Sequence, residues 1–214
     1  MRRLYTLLLY LLMPVVFLRL MWRSIRAPAY RRRWPERLGM FEPPSAWGGL
    51  WVHAVSVGEV QAVLPMIRRL LERQPGLPVT VTTTTPTGSA RVVEQLGGQV
   101  FHVYFPYDLP PVLTAFTRKV RPQVLLMVET EIWPNLLRHC RRNGIHTVLA
   151  NARLSARSAA RYRRFGPFAR EVFANIDSVA AQTDADAARF RELGVPADRV
   201  TVTGSIKFDM RIPA

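Results

Sequence analysis

Cysteine is almost absent from this 214-residue sequence, which contains Cys140 alone. A single thiol excludes a disulfide framework and a zinc site built from several thiolates. The histidines are also few and scattered, and no pair of them stands at ligand spacing within a carboxylate cluster; they are His53, His102, His139 and His146. The sequence therefore predicts no metal site.

Acidic residues and lysines are scarce as well. The chain has 30 Lys and Arg against 15 Asp and Glu, which gives a net charge of +15, and only Lys119 and Lys207 are lysines. This charge predicts an anionic partner, either a phospholipid surface, a phosphorylated glycolipid or nucleic acid. Arginine binds phosphate through two parallel hydrogen bonds, although a GC-rich genome enriches arginine in the same way.

The longest uncharged run lies at the N-terminus, from Leu4 to Leu18. As a helix this run covers about 22 Å of a hydrocarbon core that is about 30 Å thick. Extension to Trp22, with the Arg19 side chain reaching towards the headgroups, gives about 28 Å. Both a short tilted span and a helix lying in the membrane interface fit this length.

A cleaved signal peptide is the alternative for this segment. Two arginines precede the run, whereas seven follow it up to Arg37, and this bias holds the following chain in the cytoplasm. We therefore expect an uncleaved membrane anchor helix over residues 1–22 and a basic juxtamembrane linker over residues 23–47. The globular part is expected on the cytoplasmic face of the inner membrane, where the linker contacts anionic lipids.

From Gly48 onward, short runs of β-branched residues alternate with amphipathic stretches such as Val60–Arg73 and Pro134–Asn143. This alternation predicts an α/β fold, a Rossmann-like open parallel sheet over residues 48–214. The predicted strands are Trp51–Val55, Val79–Thr83, Val100–Tyr104, Val124–Val128, Thr147–Ala150, Ser178–Ala181 and Val200–Thr203. In such sheets ligands bind beyond the carboxyl ends of the strands, so the polar segments that follow the strands should converge on one site.

Glu59 follows the first strand of this body and opens the next helix. Its carboxylate could accept a proton from a substrate hydroxyl, and Gly58 would let a substrate approach the backbone closely. The spacing from Ser56 to Glu59 is also that of a capping box, in which both side chains satisfy backbone amides. A helix N-terminus should favour the ionised form of Glu59.

Glu129 and Glu131 follow the most hydrophobic strand, and residues two apart on an extended chain point the same way. Both carboxylates are therefore expected to face the crevice.

The threonine-rich turn Thr82–Ser89 resembles an anion-binding helix N-terminus, but it is not a nucleotide-binding sequence. Arg153, Arg157, Arg161 and Arg164 recur at spacings of one helical face, and residues 132–170 contain no acid. This face is better suited to binding phosphates or membrane headgroups than to exposure to water alone. Lys207 follows the last strand and could neutralise a negative charge that develops on a substrate.

Six strings along the chain together resemble the 3-deoxy-D-manno-octulosonic acid (Kdo) transferases. They are His53-Ala-Val-Ser-Val-Gly-Glu59, Thr83-Thr-Thr-Pro-Thr-Gly-Ser89, Tyr104-Phe-Pro-Tyr-Asp108, Glu129-Thr-Glu-Ile-Trp-Pro-Asn135, Ala150-Asn-Ala-Arg-Leu-Ser155 and Thr203-Gly-Ser-Ile-Lys-Phe-Asp209. The resemblance implies one half of an inverting GT-B glycosyltransferase that moves Kdo from CMP-Kdo to the lipid A precursor, lipid IVA, without a metal or other cofactor.

The resemblance also implies roles for single residues. Glu59 would be the base, and Glu129 and Lys207 would stabilise the transition state. The residues expected to contact the acceptor are Ser56, Gly58, Thr87, Ser89, Glu131, Arg153 and Arg157.

Members of this family are about twice as long, so we expect a chain that lacks the donor domain and does not complete the transfer alone. A non-catalytic module that binds phosphorylated glycolipid at the membrane is the alternative. Nucleic-acid binding is disfavoured by the apolar anchor and by the shortage of aromatic platforms.

Overall fold

The computed structural model describes residues 1–206, and this range forms a seven-stranded sheet with helices on both faces. The helices are α1 (Arg2–Arg26), α2 (Val57–Arg73), α3 (Pro86–Leu96), α4 (Pro110–Val120), α5 (Pro134–Arg142), α6 (Ala156–Arg163), α7 (Pro167–Phe173) and α8 (Asp184–Glu192). The strands are β1 (Leu50–His53), β2 (Val79–Thr83), β3 (Phe101–Tyr104), β4 (Val124–Val128), β5 (His146–Ala152), β6 (Ser178–Ala181) and β7 (Val200–Val202).

The strands pair in the order β3-β2-β1-β4-β5-β6-β7, and each neighbouring pair is parallel. This confirms the predicted open Rossmann-like sheet. The order reverses between β1 and β4, because the chain builds outward from β1 to β3 and then returns to the other side of β1. The loops after β1 and β4 therefore diverge and leave a crevice between them, where ligands bind in folds of this kind.

Both faces of the sheet are buried, as parallel sheets require. Trp51 packs into the larger core cluster, which lies under helices α4 to α8, whereas its neighbour Val52 packs into the cluster under α2 and α3. This alternation along β1 follows from the two-residue period of a strand. The apolar strands thus hold the crevice on a rigid base.

Side chains and prolines begin most of the helices. The side chains of Ser56, Thr85, Ser155 and Thr183 accept a hydrogen bond from a backbone N–H in the first turn of α2, α3, α6 and α8. Caps of this kind contribute about 1 kcal/mol each. A proline stands in the first turn of α3, α4, α5 and α7, where its missing N–H costs nothing.

The segment predicted as a linker is part of the globular body. Helix α1 continues through Arg26, and 3₁₀ turns follow over Pro28–Arg31 and Trp34–Leu38. Glu36 Oε2 accepts the N–H of Tyr104 at 2.9 Å, and Arg33 Nη2 donates to the carbonyl of His102 at 2.8 Å. These contacts satisfy backbone groups on the outer side of β3, so the basic segment covers an edge of the sheet.

Asp108 joins three separate parts of the chain. Its Oδ2 accepts the N–H of Asn135 at 3.1 Å and its Oδ1 accepts the N–H of Leu136 at 2.7 Å, both in the first turn of α5. The hydroxyl of Tyr5 on α1 donates to Oδ2 at 2.9 Å. The residue before α5 is Trp133, which makes no side-chain cap, so Asp108 caps α5 from another loop.

Replacing Asp108 by asparagine should lower the free energy of unfolding by about 1–3 kcal/mol, because one buried donor then faces an amide nitrogen. Denaturant unfolding measures this change, and the exposed Asp198→Asn variant, expected to stay within about 0.5 kcal/mol of the parent, is the matched control. Equal stability of the two variants would show that Asp108 does not cap α5.

Candidate functional site at the reversal of strand order

The crevice between the β1 and β4 loops brings together three carboxylates that the sequence singled out. Glu59 lies at the start of α2, and Glu129 and Glu131 follow β4. All three are half-buried. The charges of Glu59 and Glu129 both raise the pKa of Glu131, and the charge of Glu129 raises that of Glu59. The predicted convergence of these side chains is therefore seen in the structure.

Glu59 forms the capping box that its spacing from Ser56 allowed. Its N–H donates to Ser56 Oγ at 3.3 Å, and the Ser56 hydroxyl donates to Glu59 Oε1 at 2.9 Å. Its Oε2 accepts the N–H of Val55 at 2.9 Å. Each carboxylate oxygen has a second lone pair, so a fixed and capped Glu59 can still accept a proton from a bound hydroxyl.

Burial is the largest influence on Glu59 and raises the pKa of its carboxyl above the usual range. Hydrogen bonds from Val55 and Ser56 oppose this shift, while the charge of Glu129 adds to it. The helix N-terminus was expected to favour the ionised form, but the net shift of the pKa is upward, because partial burial beside another carboxylate has the larger effect. A raised pKa makes the ionised Glu59 a stronger base.

Glu129 has a left-handed backbone, with φ of 62°. The assumption of an extended chain from Glu129 to Glu131 is therefore wrong, since β4 ends at Val128. The N–H of Glu129 still donates to the carbonyl of Ala150 at 2.9 Å, and Asn151 at the same edge of the sheet also has positive φ, 54°. Left-handed residues other than glycine cost about 1 kcal/mol or more and concentrate at functional sites.

Glu131 is held by Trp133, whose Nε1 donates to Oε2 at 2.9 Å. Burial raises the pKa of Glu131 to about 7, with Glu59 and Glu129 adding to the effect. His53 Nε2 lies 4.0 Å from Oε2, and burial lowers the pKa of His53 to about 3, so this imidazole is neutral. Glu131 can therefore hold or release a proton near neutral pH.

The threonine-rich turn fastens the loop that carries Glu59. Thr84 donates to the carbonyl of Val55 through its N–H at 3.3 Å and through its hydroxyl at 3.2 Å. A Cβ on Gly88 would lie 3.0 Å from Thr85 Oγ1 and 3.5 Å from the backbone carbon of Ser56. Gly88 thus lets α3 approach the Glu59 loop, a role that the sequence did not reveal.

Two residues of this region that were predicted to contact the acceptor substrate differ in their solvent exposure. Thr87 is exposed, whereas Ser89 is buried and its hydroxyl accepts a hydrogen bond from Arg33 Nη1 at 3.1 Å. Ser89 therefore joins α3 to the basic segment, and its geometry does not support contact with an acceptor. Gly58 is exposed at the start of α2, where a Cβ would meet only Ser56 Oγ at 3.9 Å, so packing does not require glycine there.

The arginine face is shorter than predicted. Helix α6 begins at Ala156, so Arg153 lies in the preceding loop, and Arg164 is the residue after the helix. Arg157 and Arg161 share one face of α6 and are exposed, as is Arg153. The hydroxyl of Thr130, between the two carboxylates, donates to the carbonyl of Arg153. This hydrogen bond places Arg153 beside the crevice. The prediction that four arginines share one helical face is wrong, because only Arg157 and Arg161 lie on α6.

A cationic pocket of about 300 Å³ opens beside these loops, under α1. Its charged lining residues are Arg19 and Arg23 of α1, Arg37 of the second 3₁₀ turn, and Asp108. Arg37 is almost fully buried, donates to the carbonyl of Thr84 at 2.8 Å, and lies 4.2 Å over the ring of Tyr104. Sequence analysis missed these arginines as ligand-binding candidates because they stand in the segments assigned to the anchor and the linker.

An apolar pocket of about 230 Å³ lies on the other side of Trp133, which lines both pockets. Its walls are aromatic and aliphatic side chains from α1, α5, α6 and α7 and from the loops that precede α5 and α7; they include Tyr5, Ile132, Tyr162, Phe165, Phe168 and Phe173. A cationic and an apolar pocket joined at one tryptophan suit a ligand that carries both phosphate and hydrocarbon.

Lys207 lies outside the described residues. Among residues 1–206, no three His, Cys, Asp or Glu side chains form a group that could hold a metal ion.

The sequence model of the family described as 3-deoxy-D-manno-octulosonic-acid transferase (kdotransferase) matches residues 32–210. The chain is 40% identical over 96% of its length to the 3-deoxy-D-manno-octulosonic acid transferase of Haemophilus influenzae, and 41% identical over 99% of its length to that of Bordetella pertussis. These matches cover 49% and 51% of the two relatives. The chain therefore spans about half the length of the curated relatives it matches, and corresponds to their N-terminal half.

Solved structures show the same fold at low sequence identity. The UDP-GlcNAc 2-epimerase of Neisseria meningitidis bound to UDP-GlcNAc has a TM-score of 0.52 at 15% identity, covering 76% of this chain and 48% of that one. The S. aureus MnaA–UDP co-structure has a TM-score of 0.53 at 16% identity, covering 77% and 46%. At this identity the likeness concerns the fold alone.

The left-handed backbone at position 129 predicts a difference between two substitutions. Both Glu129→Gly and Glu129→Ala remove the carboxylate, but alanine keeps a Cβ that is unfavourable at this φ. We expect the glycine variant to be more stable by about 1 kcal/mol in denaturant unfolding. An alanine variant as stable as the glycine variant would contradict the strain at this site.

The raised pKa of Glu131 predicts that stability depends on pH. The folded chain keeps its proton up to about pH 7, whereas the unfolded chain releases it near the ordinary value of 4.5. The folded state therefore binds an extra proton between these values, and its stability falls as the pH rises through this window. Relative to Glu131→Gln, the free energy of unfolding should drop by as much as about 3 kcal/mol between about pH 4.5 and about pH 8.

The control for this measurement is the exposed Glu72→Gln variant on α2, which tests for a general effect of replacing a glutamate. A parent and a Glu131→Gln variant that respond identically to pH would contradict the raised pKa.

Proposed function

Because the chain belongs to the 3-deoxy-D-manno-octulosonic acid transferase family, we propose that it forms the acceptor-binding half of an inverting Kdo transferase. The donor is CMP-Kdo and the acceptor is the phosphorylated lipid A precursor, lipid IVA. The observation that carries this proposal is the position of Glu59, a fixed and half-buried carboxylate with a raised pKa at the reversal of strand order.

In the proposed step, Glu59 takes the proton of an acceptor hydroxyl. The oxygen forms a bond to the anomeric carbon of Kdo, and the bond from that carbon to the CMP phosphate breaks with inversion. The anomeric carbon gains positive character as the phosphate leaves, and the negative charge of Glu129 would stabilise it. Lys207 would offset the charge on the departing phosphate. The expectation that no metal takes part stays a prediction.

The two pockets support a lipid acceptor. The cationic pocket is lined by Arg19, Arg23 and Arg37, which suit a phosphate group through charge-assisted hydrogen bonds. Its wall includes Thr84, which fastens the Val55 loop and so lies next to the proposed base. The apolar pocket across Trp133 suits part of an acyl chain. We assign the sugar hydroxyl of the acceptor to the crevice beside Glu59.

The test is a protein in which this chain is joined to the C-terminal half of the Haemophilus influenzae relative. Kdo transfer from CMP-Kdo to lipid IVA should fall at least about 100-fold in Glu59→Gln, because glutamine cannot accept the proton. Glutamine can still accept the N–H of Val55 and donate to Ser56, so the free energy of unfolding should change by less than about 1 kcal/mol. Binding to vesicles that contain lipid IVA should be retained.

The matched control is Glu72→Gln, an exposed substitution near the other end of α2, which should leave transfer unchanged. Full activity of Glu59→Gln would exclude Glu59 as the base. Glycolipid binding without transfer by the joined parent protein would favour the alternative that the chain is a non-catalytic membrane-associated module.

A further inference from the structure

Helix α1 is long and apolar enough to cross a membrane. The burial of its side chains, however, varies with the period of the helix. The half-buried or buried positions recur every three or four residues and form one face of the helix; they are Arg2, Tyr5, Thr6, Leu9, Met13, Val16, Phe17, Leu20 and Ser24. The opposite face is exposed, and its centre is entirely apolar; this centre is Leu4, Leu7, Leu11, Val15, Leu18, Trp22 and Ile25. One side of α1 therefore rests on the globular body and the other side is uncovered.

Contacts hold α1 to the globular body over most of its length. Near its start, Tyr5 donates to Asp108, and the Thr6 hydroxyl donates to Asn135 Oδ1 at 3.1 Å. Twelve residues after Tyr5, or about 18 Å along the axis, the ring of Phe17 lies 6.0 Å from that of Trp34 and 6.2 Å from that of Tyr107. A helix attached at both places lies flat against the edge of the body.

This attachment conflicts with a span. If α1 crossed the bilayer while docked, the polar loop of Asp108 and the turn of Trp34 would enter the hydrocarbon core, where irregular exposed backbone is not tolerated. The uncharged run between Arg3 and Arg19 is also shorter than that core, at about 22 Å against about 30 Å. A span would therefore require α1 to leave its contacts with the body.

The arginines of α1 lie beside its exposed apolar face. Arg3 lies on one flank of the apolar face, and Arg19 and Arg26 lie on the other, while the centre of that face carries no charge. An amphipathic helix in the membrane interface buries such a face about 5–10 Å deep and keeps its arginines at the headgroups. Phe165, in the loop before α7, is another exposed aromatic residue, and it lines a pocket together with Tyr5 of α1.

We propose that α1 lies in the plane of one leaflet of a phospholipid bilayer, with both of its ends on the side of the globular body. The occupant of its uncovered face is the acyl region of that leaflet. This placement rests on the docking of α1 and holds whether or not the crevice has the function proposed above. It also sets the cationic pocket, which α1 partly lines, at the depth of the lipid headgroups.

Labelling of single added cysteines tests which side each end of α1 occupies. The native Cys140 is buried, and burial raises its pKa to about 12, so the parent chain should not react with a membrane-impermeant maleimide. Arg3→Cys reports the start of α1, and Arg69→Cys, on the exposed face of α2, reports the globular body. We expect both to be labelled in inverted membrane vesicles and neither in intact spheroplasts. Labelling of Arg3→Cys from the side opposite to Arg69→Cys would overturn the proposal.

Depth measurements on the reconstituted chain give an independent readout. A fluorophore attached at Leu4→Cys, Leu11→Cys or Leu18→Cys, in vesicles of phosphatidylethanolamine and phosphatidylglycerol, should be quenched by lipid-borne quenchers at one shared shallow depth. A spanning helix would place Leu11→Cys deepest, and that profile would overturn the proposal. These residues are exposed, so their replacement leaves the docked face intact.

Two further positions complete the depth series. Met13→Cys lies on the docked face and should be quenched less than Leu11→Cys, whereas equal quenching would mean that α1 has left the body. Phe165→Cys should also be quenched by the lipid-borne quenchers, because Phe165 is exposed and lines a pocket together with Tyr5 of α1. A Phe165 label that stays in water would overturn the proposed plane.

Discussion

The buried carboxylate of Asp108 is the interaction on which the arrangement around the crevice depends. It supplies the cap that α5 lacks, and it holds Tyr5 of α1 at the same time. Burial raises its pKa to about 6, and the three hydrogen bonds that it accepts oppose this shift. The start of α5 carries Trp133, which in turn holds Glu131. One carboxylate therefore sets the relative positions of the apolar helix, the sheet edge and the acidic loop.

The crevice itself follows from strand order. Because β1 and β4 are neighbours, the loop of Glu59 and the loop of Glu129 and Glu131 border the same crevice, although they are about 70 residues apart in sequence. Partial burial and neighbouring negative charge disfavour the ionised forms of Glu59 and Glu131, so each of these two carboxyl groups holds its proton more tightly than an isolated one. This is the physical basis for a proton acceptor that is stronger than an ordinary surface glutamate.

Helix α1 has two roles in the proposed arrangement, membrane contact and lining of a pocket, and its composition alone does not show which side chains serve which role. Its apolar outer face suits a lipid leaflet, while Arg19 and Arg23 turn towards a pocket next to the crevice. In the proposed arrangement, the helix that attaches the protein to the membrane also lines the site that receives a membrane lipid. A phosphorylated glycolipid could then reach the crevice without leaving the headgroup region.

Local patterns in the sequence determined much of this protein. Two-residue and 3.6-residue periodicities predicted all seven strands, with Val124–Val128 at its observed bounds and β1 and β5 within two residues at their ends, and motif strings around Glu59 and Glu129 indicated the family. These periodicities and motifs can be recognised in the sequence because each one involves residues that are close together along the chain. Tertiary structure alone decided the left-handed φ of Glu129, the capping of α5 by Asp108 and the docked face of α1. Each of these depends on partners far away in the chain, and periodicity carries no information about which distant segments pair.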